Sequence, residues 1–549
     1  SFPTRRSSDL AVNPAPLPAD IHSINLKIEE FTMKKIITLF LSLTMAAGLF
    51  AQTAEDALNF AQEYYEGTAR SMAMGNAFTA LGGDLGALGI NPASSGVFRC
   101  SQITFTPSLT TSRSTSDYLG NSNSAKNTGF TISNFGTVLT FDTGNYSGLL
   151  NYNFGVVYNK KNSFRSTMHA AGTTDNSSML SSLAAGLEGV SWEDIDLEKT
   201  SNPYTTSYAA WPAILAWNTY VLAPLSVLGG KYANVNDSYL ASTENYNEAT
   251  DDLQIGGPLN QRFNRKTYGS NEQYSFNFGG NISDIFYFGV NLNCHAIDQT
   301  VEEYYEEAAS NPSLFQDGFV SMDDSFWLRT QGTGINFKFG AIVTPFAGLR
   351  LGATVTTPTW YTLTDEWDYT MNTAFNNGNS YTEYSPTGTY SYKLTAPMRW
   401  SVGAAYTAAG FGLLSVDYEN VNYAATVLKD YDGNYGIFSD ENSYMAGSFT
   451  NAHILRVGAE LRLGERVALR GGYQNYSPAV KGAASRNAWS AGIGFNLGEA
   501  TTLDFAWTKL ASQSDSFQLY SDYSDYVTVP QGVNTHSLSK VVCTLGIKF

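Results

Sequence analysis

From about Ser101 to the end, apolar side chains stand at every second position in one short run after another. In Tyr152, Phe154, Val156 and Tyr158 the intervening residues are mostly polar or small. Phe286, Phe288, Val290, Leu292 and Cys294 alternate with Tyr287, Gly289, Asn291, Asn293 and His295. Leu455, Val457, Ala459, Leu461 and Leu463 alternate with Arg456, Gly458, Glu460 and Arg462. A period of two predicts β-strands with one apolar face, but it does not say whether that face meets a core or a lipid. Connection lengths separate the two cases. The pattern predicts fourteen strands, near 101–112, 129–141, 150–161, 268–280, 285–299, 326–343, 349–362, 389–406, 411–424, 452–463, 467–477, 487–497, 502–511 and 538–549. Short connections (281–284, 344–348, 407–410, 464–466, 498–501) alternate with long ones (113–128, 162–267, 300–325, 363–388, 425–451, 478–486, 512–537). Short turns at one end, long loops at the other and an even strand number are the signature of an all-β, antiparallel transmembrane barrel. No stretch after residue 51 is apolar for long enough to cross a membrane as a helix, which leaves that signature untouched.

One segment has no such period. Residues 67–98, GTARSMAMGNAFTALGGDLGALGINPASSGVF, are dense in Gly, Ala and small polar residues. Glycines there, Gly75, Gly82 and Gly83 among them, permit tight turns and close backbone approach. Asn91-Pro92-Ala93 then predicts a turn in which Pro92 fixes φ and Asn91 bonds locally. A compact small-residue segment just before a run of hairpins predicts a plug inside the closed ring.

Residues 1–32 are read as a non-native leader, and 33–51 as a secretory signal. Lys34-Lys35 precedes the apolar Ile36–Phe50, followed by small Ala51. The remaining units are 52–98, an N-terminal segment with the plug, and 99–549, the barrel with its long outer loops, of which 162–267 is the largest. A charged fraction of 15% against 14% aromatics suits aromatic girdles better than a soluble enzyme. A net charge of -17 without a basic stripe excludes nucleic acid as partner. Cys100, Cys294 and Cys543 are odd in number and far apart, so no disulfide framework or metal site is expected. His169, His295, His453 and His536 stand in no HxxxH or HExxH spacing, and no GxSxG elbow occurs, so no catalytic residue, metal or cofactor is assigned.

The small-residue run ending in Asn91-Pro92-Ala93 resembles the N-terminal hatch of the FadL/TodX-type outer-membrane transporters of long-chain fatty acids and other hydrophobic compounds. Leu394–Pro397 with Val402–Tyr406, Leu349–Ala353 and Leu469–Tyr473 resemble strands of that family, and the alternating terminal strand ending in Phe549 resembles the signal read by the barrel assembly machinery. The resemblance implies a single-copy outer-membrane channel of a Gram-negative bacterium, among lipid and lipopolysaccharide, taking up a long-chain fatty acid or similar ligand passively. It implies hatch gating through Gly75, Gly82, Gly83, Asn91, Pro92 and Ala93. It also implies ligand capture by long outer loops, for which Trp211, Ile214, Leu215, Trp217, Tyr220 and Leu222 form the apolar candidate segment. That segment could equally pack on other loops as a cap. Inward parity predicts a lumen charge ladder of Arg399, Asp417, Arg456, Glu460, Arg470, Asp504 and Lys548, with Glu460 opposite Arg470 across a three-residue turn. The ladder is either structural or a seat for a ligand carboxylate, which Arg can bind bidentately. A second functional class stays open: a haem receptor or adhesin displaying Tyr-rich acidic loops, with His169 and His536 as the histidines near them.

Overall fold

The computed structural model describes residues 54–408, 410–524 and 527–549. The expected leader and signal, 1–51, lie outside them. Fourteen antiparallel strands close into a ring: β1 Gln102–Tyr118, β2 Asn121–Asp142, β3 Leu149–Ser163 continued by Ser166–Thr174, β4 Leu259–Ile282, β5 Phe286–Ala309 and β6 Phe319–Phe346. There follow β7 Leu349–Thr356 continued by Thr359–Phe375, β8 Gly388–Ala396 continued by Arg399–Ala408, β9 Gly412–Asn422 continued by Val427–Asp430, and β10 Asn451–Leu463. The last are β11 Val467–Tyr476, β12 Arg486–Asn496, β13 Thr501–Gln518 and β14 Gln531–Lys548. β14 pairs back with β1, Lys548 against Gln102, so the sheet has no edge at its seam of chain ends. The breaks in β7 and β8 fall at Thr357-Pro358 and Pro397-Met398, where proline removes a ladder donor.

Every predicted strand has its counterpart, but several run further than the period suggested. The 113–128 connection is not a loop: β1 and β2 continue to a tight turn at Leu119-Gly120, where both residues have positive φ. β5 reaches Ala309 and β6 starts at Phe319, so 300–325 is largely strand. These extensions lack apolar alternation because they stand above the membrane. On the outer face of β5, Phe286, Phe288, Val290, Leu292, Cys294 and Ala296 give way to Asp298, which pairs with Arg329 of β6 at 2.8 Å. An apolar belt of about ten residues per strand matches the hydrocarbon thickness.

Residues 54–98 lie inside the ring. Helix α1, Ala54–Ala61, is followed by an extended piece, a one-turn helix at Ala69–Ala73 and a 3₁₀ turn at Pro92–Val97. The far end of the ring is filled by the long connection 175–258, whose helix α2, Trp211–Asn218, is buried in the largest apolar cluster of the described residues.

Candidate functional site

The plug meets the wall through backbone. Gly289, Gly340, Gly352, Gly458 and Gly472 face inward on β5, β6, β7, β10 and β11, and a Cβ on any of them would collide with plug atoms. The clash would be at 2.1 Å from the Thr79 carbonyl for Gly352 and 2.1 Å from the Gly75 amide for Gly472. Paired glycines, Gly289 with Gly340 and Gly458 with Gly472, widen the gap across two neighbouring strands. Hydrogen bonds fill the space so created. Asp417 accepts the Thr79 amide at 2.7 Å, Thr544 the Ala69 amide at 2.6 Å, and Lys338 donates to the Gly89 carbonyl at 2.7 Å.

Of the sequence-predicted plug residues, Asn91 is fully buried. Its Oδ1 accepts the Ala93 amide at 3.0 Å, and its Nδ2 donates to the Thr79 carbonyl at 2.6 Å and to Ala341 of the wall at 3.3 Å. Pro92 opens the 3₁₀ turn, and its carbonyl accepts from Asn277 of β4 at 3.0 Å. Ala93 packs on Tyr287 and Ile342. Gly75, Gly82 and Gly83 all hold positive φ, the conformation that only glycine takes without strain.

The predicted charges divide into two groups. Glu460 does stand opposite Arg470, at 2.8 Å, and Arg470 reaches Asp504 at 2.5 Å, while Arg70 of the plug joins Glu460 at 3.1 Å. Arg399 and Arg456 share Glu419 at 3.0 and 2.9 Å. Asp417 belongs to neither group, since it holds the plug. Lys548 is not in the lumen: it is exposed at the rim where β14 ends, with its amide on the Ala500 carbonyl. Parity along a strand gives the face but not the height, and Lys548 is the last rung of the β1–β14 ladder, at the rim.

The apolar loop segment is no exposed groove. Trp211, Ile214, Leu215 and Leu222 are buried, Trp217 is half-buried against Trp192, and only Tyr220 is exposed. The Trp211 ring lies 5.4 Å from that of Trp367 on β7, and Thr373 donates to the Thr219 carbonyl at 2.9 Å. The segment is a cap seated in the barrel mouth. His169 is bonded to Asn264 and His536 sits 3.5 Å from Asp515, on opposite sides of the β1–β2 hairpin; no interaction joins them.

α1 is packed into an apolar cluster of its own: Ala54, Ala57, Leu58, Phe60 and Ala61 are buried against Phe164, Ile297, Tyr361, Leu363, Leu394, Val421 and Phe438.

In the wall, two neighbouring strands lose their main-chain pairing over part of their length and meet there through side chains. β2 pairs with β3 only over Asn134–Asp142, and its upper part, residues 121–133, bonds β1 alone. The continuation of β3, Ser166–Thr174, bonds β4 alone. Bulges mark the divergence on both strands. Ser133 is the extra residue opposite Thr106-Pro107, where Pro107 has no N–H to give, and Lys161 is the extra residue on β3 opposite β4. The seam begins at Asn159, level through Gln273 with His295, which is the top of the apolar belt. A cavity of about 660 Å³ lies at the seam, lined by Ser124, Lys126, Met168, Arg265 and Glu303 among others. Arg165 bridges the gap to Asn127 at 2.8 Å and lies over Gly129, whose missing side chain makes its room. Sequence reasoning missed the seam; its one signal was a proline inside the first predicted strand.

No family model matches the sequence, and no curated protein matches it. Among solved structures, the chain is similar to a FadL homologue of Pseudomonas aeruginosa, with a TM-score of 0.52 and 11% identity over 89% of this chain and 99% of that one. The toluene transporter TodX of P. putida (TM-score 0.48, 12% identity, 88% and 99% covered) and the toluene transporter TbuX of Ralstonia pickettii (0.45, 14%, 88% and 99%) are also similar. The first likeness shows the fold that this chain shares with a FadL homologue, a closed fourteen-stranded barrel.

Proposed function

We propose that the protein is a passive outer-membrane channel for hydrophobic small molecules, long-chain fatty acids among them. On this reading ligand enters past the cap, displaces α1 from its apolar cluster, and leaves sideways into the outer leaflet through the seam. One observation carries this: plug and cap occupy the two ends of the lumen, while the main chains of β2 and β3 part just where the apolar belt ends. An apolar ligand loses little in passing from an apolar protein interior to lipid. The similar solved structures are named as a FadL homologue and as toluene transporters, which agrees with an apolar cargo. The test is uptake of a fluorescent long-chain fatty acid and of labelled toluene by cells with and without the protein. Saturable, energy-independent uptake of either supports the reading; no uptake of both, with a Soret shift on haem titration, replaces it by a haem receptor.

A further inference from the structure

Outward charges above the apolar belt obey one rule on one side of the ring and break it on another. On β4 and β5 opposite charges stand directly across from each other: Lys266 pairs with Glu302 at 3.1 Å and Arg262 with Glu306 at 3.2 Å. On the β1–β2 hairpin Arg113 stands directly across from Lys126. Both are exposed on the lipid side, Arg113 in phase with Phe105 and Leu109, Lys126 with Phe130 and Ile132. Each is the first charged residue above the apolar run of its strand. Lys509 holds the same place on β13, above Phe505 and Trp507. Between Lys509 and the hairpin runs β14, where Ser539 faces both Lys509 and Thr111, and Ser537 faces Arg113. Thr111 and Thr128 complete a row of hydroxyls, bonded to each other at 3.0 Å. Among the described residues no carboxylate or aromatic ring meets any of the three cations. Asp117, the nearest carboxylate on that face of the hairpin, is four residues further up β1. Like charges set directly opposite on two strands are destabilising. Across the ring Lys393 faces Lys429 in the same way, but there Tyr431 and Tyr435 lie 5.3 and 4.7 Å from the two ammonium groups and answer the charge. Arg113, Lys126 and Lys509 break the pairing rule with no such compensation within the chain, which points to a partner outside it.

We propose that Arg113, Lys126 and Lys509 form a docking patch for the phosphates of a bis-phosphorylated glycolipid of the outer leaflet. The inference rests on the outer-membrane placement proposed above and on nothing about the cargo. Height, chemistry and width all suit this partner. The patch stands at the top of the apolar belt, where lipid phosphates lie, and basic clusters at that boundary recognise anionic headgroups. Arg113 can grip a phosphate with two parallel N–H bonds, while the lysines act as point charges. The patch crosses four strands, roughly 14 Å by strand spacing. That is wider than one phosphate and suits two held apart on one sugar headgroup, whose hydroxyls would meet Thr111, Thr128, Ser537 and Ser539. Below the patch, Leu109, Phe130 and Trp507 offer the acyl chains an apolar wall.

The experiment uses the full-length protein, purified in detergent with a chelator so that no divalent cation bridges phosphates. Native mass spectrometry follows retention of bis-phosphorylated lipid A, of lipid A stripped of both phosphates, and of phosphatidylglycerol. Arg113→Gln with Lys126→Gln and Lys509→Gln is compared with the parent and with a control, Arg262→Gln with Lys266→Gln and Arg329→Gln, which removes three paired cations of the outer face. Heat-modifiable gel mobility reports ring closure in each, and Arg113→Gln alone serves if the triple variant does not close. The parent should hold bis-phosphorylated lipid A at least about tenfold more tightly than the other two lipids, and the patch variant should lose about tenfold or more of that affinity while the control keeps it. Equal retention of the phosphate-free lipid or of phosphatidylglycerol overturns the proposal. So does parent-like binding by the patch variant, or an equal loss in the control. Recovery of the protein outside the outer-membrane fraction of cells overturns the placement and the patch together. Lipid A binding absent from a protein that still takes up fatty acid overturns the patch alone.

Discussion

The two fillings of this barrel solve the same steric problem by opposite chemistry. The plug is small, polar and backbone-led. It approaches the wall at inward glycines and is held by single hydrogen bonds and ion pairs from nearly every sector of the ring, Thr544, Asp417, Lys338 and Asn277 among them. The cap is large and aromatic, with Trp211, Ile214 and Leu215 buried among Trp367, Tyr369 and Met371. Net hydrogen-bond energies in water are small because water replaces each partner, whereas burial of large apolar side chains scales with area. A structure built of exchangeable bonds can be displaced in pieces; one built of packed rings moves as a unit or not at all. On the proposed function, the plug is the filling that moves and the cap the one that stays.

That contrast is most severely tested by removing one side. Deletion of residues 54–98 is expected to leave heat-modifiable gel mobility intact, since ring closure does not involve the plug. It should turn a silent protein into a resolved pore in planar bilayers. Conductance that stays at the parent level would show the cap to be the sole barrier. The next effect belongs to the cap. Trp211→Ala should cost it about 3–5 kcal/mol, the range for emptying a buried aromatic site. Limited proteolysis should then cut within 175–258 while 54–98 stays protected. Equal sensitivity of both regions would mean that cap and plug are one unit.

A smaller and more local effect separates two adjacent glycines. Gly472→Leu drives a side chain into the Gly75 amide and should cost about 1–3 kcal/mol or more in plug seating, the usual penalty of overpacking. Gly471→Leu, on the lipid face with nothing near its Cβ, should be silent. Protease sensitivity of the plug in the two variants decides whether the wall glycines are sockets.

The positions of these sockets show what the sequence could and could not tell. Period-two alternation and turn lengths located all fourteen strands, and the three-residue turn at Gly464–Arg466 set Glu460 against Arg470 correctly, because register follows turn length. Asn91-Pro92-Ala93 was legible as a local turn, yet its grip on Ala341 was not, being a contact between distant residues. The apolar run at Trp211 left groove and cap equally open, since an apolar run in a loop cannot say whether a barrel mouth is there to receive it. Gln62–Glu66, a strap bonded to Lys160 and Lys161 of β3 and to Ser133 of β2, was illegible for a different reason. Gln62–Glu66 carries no period and no motif, and its meaning depends on a sheet edge that exists only because β2 and β3 part company at Ser133 and Lys161.

The finest test of the contrast is pH, for which Glu63 and Glu66 of the inner segment have the opposite sign to two carboxyls at the cap. Burial would raise the carboxyls of the strap, but Lys161, Arg399 and Lys338 hold Glu63 well below the ordinary 4.5, and Lys540 and Lys160 hold Glu66 below it. Groups depressed on folding stabilise the plug above 4.5, and that stability is lost only as pH falls from 4.5 through their lowered values. Where β5 meets the cap, burial raises Glu307, despite bonds from Ser178 and Tyr305, and within the cap it likewise raises Glu244. Those two bind protons more tightly folded than unfolded, so cap stability rises as pH is lowered toward 4.5 and levels off below it. Hydrogen exchange, corrected for intrinsic rates, should therefore show cap amides gaining protection between neutral pH and 4.5 while strap amides stay constant. Below 4.5 the strap should loosen and the cap hold. In Glu63→Gln with Glu66→Gln the acid loosening disappears, because the titrating groups are gone, and the strap is loose throughout. If strap protection instead fell between pH 7 and 5, a group other than these carboxylates would control it, and the division between an ionic plug and an apolar cap would fail at its most specific point.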